Sequence, residues 1–124
     1  MHEYKGFKDL KVYQLSYAFA MDIFKETKNF PTDEKYTLTD QMRRCSRSVA
    51  AQLAEAWKKR RYEKAFVSKL VDCSSEAAET QVWLDMSLDC GYLTIENHRR
   101  LSDKTEEVSK MLYSMIIHPE KFCY

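Results

Sequence analysis

The chain has 124 residues, a formal charge of +1, and only two glycines and two prolines. That length suits one domain able to bury about two-thirds of its unfolded surface, and such sparse turn chemistry, against the roughly fifteen glycines and prolines of average usage, excludes a fold of many short strands. No apolar run approaches the roughly 18 residues of a membrane span, residues 1–10 hold no signal-peptide core, and the four cysteines form no CxxC pair, which points to the reducing cytoplasm and to core or incidental thiols.

A first helix is predicted over residues 9–28, where Leu10, Tyr13, Tyr17, Met21 and Phe24 recur every three or four positions. Asp9 is placed to cap it, and Asn29-Phe30-Pro31 stops it. A second spans 38–59. Thr37, followed three positions on by Asp40, makes an approximate capping box, and Leu38, Met42, Cys45, Val49, Leu53 (or Gln52) and Ala56 form its core seam. The third, 63–90, alternates steps of four and three through Phe66, Leu70, Cys73, Ala77, Thr80, Leu84 and Leu88, and Gly91 supplies a left-handed stop. Thr94 caps a fourth, 95–117, which carries Leu101, Thr105, Val108, Leu112 and Met115 on one face. Four helices with heptad-like seams and mostly short connections predict an all-α fold: a single antiparallel up-down-up-down four-helix bundle.

Two features of the second helix exceed what a solitary bundle needs. At 100° per residue Ala50, Ala51 and Ala54 point largely away from the seam, where a solvated helix normally carries Lys, Glu or Gln. They are the expected self-association surface. Beside the seam runs a polar row of Gln41, Arg44, Ser48, Gln52 and Glu55, and the third helix carries an acidic row of Asp72, Glu76 and Glu79. A bidentate pair between Arg44 and Glu76 or Glu79 would fix register across the interface.

No catalytic constellation is present. A di-iron bundle needs Glu-x-x-His on two helices, and none occurs; His2, His98 and His118 lie outside the acidic row. There is no P-loop, nucleophile elbow or HExxH motif. The expectation is a protein that is not an enzyme and uses no cofactor and no metal, with a carboxylate site of Glu55, Glu76 and Glu79 as a minor alternative.

Charge is segregated along the chain. Residues 41–64 hold eight basic side chains against two acidic ones, leaving 12 basic and 17 acidic elsewhere. Arg43, Arg47, Lys58, Lys59, Arg60, Arg61 and Lys64 are the candidate contacts to RNA or DNA phosphates. Trp57 and Tyr62 interleave aromatic faces suited to base stacking. The alternative is a helix C-terminus dressed with solvated cations, in a scaffold whose partner is another protein.

Phe7-Lys8-Asp9-Leu10-Lys11-Val12-Tyr13-Gln14, Phe30-Pro31, Leu38-Thr39-Asp40-Gln41-Met42-Arg43-Arg44, Ser48, Ala54-Glu55 and Glu79-Thr80-Gln81 follow one another in a characteristic order. In this the chain resembles the four-helix-bundle proteins encoded by 23S rRNA intervening sequences. The resemblance implies a homopentamer with a central channel, and kinship with the accessory variability protein of diversity-generating retroelements, which works with a reverse transcriptase and nucleic acid. Where that family often has Ser-Ile-Pro-Ser-Asn-Ile-Ala-Glu-Gly, this chain has Ser48-Val49-Ala50-Ala51-Gln52-Leu53-Ala54-Glu55-Ala56. Loss of the proline and glycine implies a straighter, longer second helix.

Overall fold

The computed structural model describes residues 4–124; residues 1–3, His2 among them, lie outside the described residues. Four α-helices follow in order: α1 (Lys11–Thr27), α2 (Leu38–Lys58), α3 (Glu63–Asp89) and α4 (Ile95–Ile117). Short 3-10 turns occupy Phe7–Asp9, Thr32–Glu34 and Pro119–Lys121, and no strand occurs among the described residues. None of these helices is long and apolar enough to cross a membrane.

The helix ends show where hydroxyls and carboxylates went. Asp9 does not cap α1: its carboxylate accepts the backbone N–H of Lys5 at 2.7 Å within the preceding turn, and Leu10 becomes the N-cap. Thr37 precedes α2 without capping it, because its hydroxyl donates to the Glu34 carboxylate. Thr94 does cap α4, accepting the Asn97 N–H at 3.0 Å. Gly91, at φ 77°, ends α3 with the Gly91 N–H on the Leu88 carbonyl at 2.9 Å and the Tyr92 N–H on the Ser87 carbonyl at 2.8 Å, a Schellman closure that needs the left-handed residue.

Cross-helix pairs fix the direction of every neighbour. Thr27 and Phe24 meet Arg43 and Arg47; Glu55, Cys45 and Met42 meet Lys69, Thr80 and Ser87. Gln81 and Asp85 meet Ser102 and His98, while Asp22 and Glu26 meet Lys104 and Arg100. In each pair of helices one number rises as the other falls, so all four contacts are antiparallel. The backbone of each helix lies beside those of two neighbours, and the backbones of the diagonal pairs α1–α3 and α2–α4 stay apart.

The core divides into two apolar clusters. One, holding Val49, Leu53, Phe66, Leu70, Val108 and Leu112, fills the end where α1 starts and α4 stops. The other, holding Phe19, Ile23, Met42, Leu84 and Leu101, fills the opposite end. Between them α1, α3 and α4 contribute buried hydroxyls, Ser16, Thr80 and Thr105, and α2 the buried thiol of Cys45. The Ser16 and Thr105 hydroxyls donate to their own helix carbonyls, and the Thr80 hydroxyl lies 2.8 Å from the Glu76 carbonyl and 3.0 Å from Cys45 Sγ. No buried side-chain donor or acceptor among the described residues lacks a partner, so the layer costs little desolvation while disfavouring a slipped register.

Candidate nucleic-acid interface

The antiparallel arrangement gathers three distant stretches at one end: the residues before α1, the α2–α3 corner, and the residues after α4. At the corner α2 terminates with Lys58 and Lys59, whose charges complement the exposed carbonyls of a helix C-terminus. Lys59 is held by a bond from its N–H to the Ala56 carbonyl at 2.9 Å, and Tyr62 turns back on Lys59 at 2.9 Å. Lys58, Lys59, Arg61, Tyr62 and Lys64 are all exposed.

Arg60 differs from its neighbours. Its Nε donates to the Trp57 carbonyl at 2.8 Å, and its guanidinium stands 3.6 Å from the Trp57 ring centroid and 5.2 Å from that of Tyr124. Trp57 itself is 4 % exposed, with the Tyr4 ring edge-on at 5.6 Å. It is a core anchor covered by an arginine, so the expectation that it offers a face for base stacking is corrected; Tyr62 and Tyr124 are the exposed aromatics here.

A cleft of ≈ 460 Å³ opens beside this stack. Lys5 and Lys8 line one side, Lys58 and Arg60 the other, and Asp9 is the one acidic side chain in the lining. Lys5, Lys8 and Tyr124 escaped the sequence reading because they carry no local motif. The signal was topological: in an up-down bundle the first residues, the second corner and the last residues share an end.

The remaining basic candidates do not join this patch. Arg43 is a structural residue, its Nε donating to the Thr27 hydroxyl at 2.8 Å and a terminal nitrogen to the Phe24 carbonyl at 3.3 Å, with the guanidinium 4.7 Å from the Phe24 ring. It closes the C-terminus of α1 and is withdrawn as a phosphate contact. Arg47 is exposed beside Phe24, about 16 Å along α2 from Lys58 at 1.5 Å per residue.

The polar row is also rearranged. Arg44 is exposed and forms no ion pair with Glu76 or Glu79 among the described residues, since at 100° per residue it falls nearly opposite Met42. Gln41 is half-buried and Gln52 bonds Ser48 at 2.8 Å along the same helix. Glu55 instead meets Lys69 at 3.7 Å, Glu79 accepts the Trp83 indole N–H at 3.2 Å, and Asp72 is exposed. Among the described residues no three His, Cys, Asp or Glu side chains form a group able to hold a metal, so Glu55, Glu76 and Glu79 are not brought together as ligands.

Two apolar surfaces remain. Ala50 is buried at 8 % exposure against α1, correcting the expectation that it points outward; Ala54 is half-buried and Ala51 exposed. With Tyr13, Tyr17 and Met21 they line a groove of ≈ 380 Å³ between α1 and α2. On the diagonally opposite helix, Val71, Ser75, Ala78, Val82 and Met86 form an exposed stripe at helical spacing. That stripe was missed, because the apolar residues of α3 are spread around the helix and its core seam alone was followed.

The 23S rRNA-intervening sequence protein family model matches residues 8–114. A crystal structure from Bacteroides thetaiotaomicron VPI-5482, of a protein of unknown function from the S23 ribosomal protein family, superposes with a TM-score of 0.77 at 28 % identity over 85 % of this chain and 97 % of that one. No curated protein matches the sequence.

Proposed function

The chain belongs to the 23S rRNA-intervening sequence protein family, and from that premise we propose that it is a non-enzymatic, self-associating cytoplasmic protein that binds RNA or DNA through its basic end. The observation that carries this reading is the convergence of Lys5, Lys8, Lys58, Lys59, Arg61 and Lys64, all exposed, on one end of the bundle from two separate stretches of chain. Asp9, Glu63 and Glu120 offset them only in part. Such a field attracts a polyanion, and side chains of this kind contact phosphates without reading bases. Exposed Tyr62 and Tyr124 add stacking surfaces that suit single strands.

Self-association multiplies the effect. The α1–α2 groove and the α3 stripe lie on opposite corners of one subunit, which suits head-to-tail contact between identical copies, and a closed ring built this way points every basic end in the same direction. A protein-binding scaffold would use the same apolar surfaces and leave the basic end idle.

The test is a mobility shift with single-stranded RNA and DNA across a salt series. The intact protein should bind at low salt and lose affinity steeply as salt rises; changing Lys58, Lys59, Arg61 and Lys64 together to Ala should flatten the log–log slope by about three, near 0.7–0.9 per lost phosphate contact. Binding that is absent at low salt, or indifferent to those four substitutions, rejects the reading and leaves the scaffold in its place.

A further inference from the structure

The cleft at the basic end contains a pre-set anion receptor. Arg60 is fixed in orientation by its Nε bond to the Trp57 carbonyl at 2.8 Å and by contact with the Trp57 ring at 3.6 Å from its centroid, with the Tyr124 ring 5.2 Å away. Its two terminal nitrogens have no acceptor on the protein among the described residues. A guanidinium held by its inner nitrogen, with its outer donors free, is arranged for two-oxygen contact with a phosphate, and little side-chain freedom remains to be lost on binding. Lys5, Lys8 and Lys58 border the same ≈ 460 Å³ space. Among the lining side chains Asp9 is the one acid against these four cations, its carboxylate already engaged by the Lys5 N–H.

That surplus exceeds what an internal phosphodiester, carrying one charge, would neutralise. A phosphate monoester carries close to two at neutral pH. We propose that this cleft is a subsite for a phosphate monoester, presented by the end of a nucleic-acid strand or by a free mononucleotide, with Arg60 as the bidentate anchor. Lys5, Lys8 and Lys58 supply the remaining charge, and the open face of Tyr124, 79 % exposed, receives the attached base. The proposal rests on reading this end as the nucleic-acid interface, and adds which part of a strand it prefers.

Fluorescence anisotropy with a ten-nucleotide single strand, prepared with a 5′-phosphate, a 3′-phosphate or hydroxyls at both ends, tests it. One phosphorylated form should bind about tenfold more tightly than the hydroxyl form, the change expected from one charge-assisted bidentate contact. Arg60→Lys keeps the charge and loses the fork, and should bring the ratio near one. The double substitution Lys5→Ala and Lys8→Ala, at exposed positions outside the core, should do the same and guards against a packing effect at Arg60. Adenosine 5′-monophosphate that competes as well as the phosphorylated strand identifies free nucleotide as the source; failure to compete identifies the strand end. Equal binding of all three strands without competition by the monophosphate overturns the subsite alone and leaves the basic-end reading standing. A preference that survives both sets of substitutions also overturns it. Absence of any binding overturns both.

Discussion

Cys45 and Cys73 are held as neutral thiols by burial, which pushes their pKa values up to about 11 and about 12 from an ordinary 9.0. The folded state therefore keeps its thiol protons where the unfolded state has lost them, so the associated stability is complete below pH 9 and drains away as pH rises toward 11 and 12. At pH 10.5 the loss is roughly 2 kcal/mol per thiol. Urea unfolding at pH 8 and pH 10.5 should show this drop, and Cys73→Ala should shrink it. At pH 8 a thiol reagent should modify exposed Cys90 in the native protein and reach Cys45 and Cys73 only on unfolding. Residue types told less about duty than residue angles did. Arg43 and Arg44 are adjacent and chemically identical, yet a 100° step places the first against the C-terminus of α1 and the second in solvent. Assigning these two correctly needed the crossing point of α1 on α2, which lies outside any local pattern.

The helices themselves were legible because a period of three to four residues repeats over many turns and survives the exchange of single members. Their starts were harder. A threonine before a helix can accept an N–H of the first turn or donate to a nearby carboxylate, and the choice depends on what the neighbouring loop presents. Thr94 faces only its own helix and caps it, while Thr37 finds Glu34, whose carboxyl is held below its usual range by the hydroxyls of Thr37 and Tyr92. Thr94→Ala should accordingly cost about 1 kcal/mol of stability, measured as a shift in the urea midpoint with unchanged slope. Gly91 shows the opposite situation, in which one conformational demand admits one residue type and the sequence announces it.

At the scale of the molecule, two apolar surfaces on opposite corners make a specific claim about assembly. Ala51→Glu spoils the groove and Val82→Glu spoils the stripe, both at exposed positions, so each variant should retain its helical circular dichroism and run as a monomer by light scattering. Mixed together they should form a one-to-one dimer and nothing larger, because each supplies the surface that the other lacks. Of the two apolar surfaces, the alanine side was legible in the sequence and the α3 stripe was not. It likewise disclosed half of the basic end, since Lys5, Lys8 and Tyr124 join Lys58 only once the helices are laid antiparallel. That same convergence governs how the protein should be handled at the bench. A bulky label attached at Tyr124, which lines the cleft, would compete with whatever enters it. A fluorophore or purification handle belongs instead in the connection around Tyr36, 83 % exposed, at the far end of the bundle.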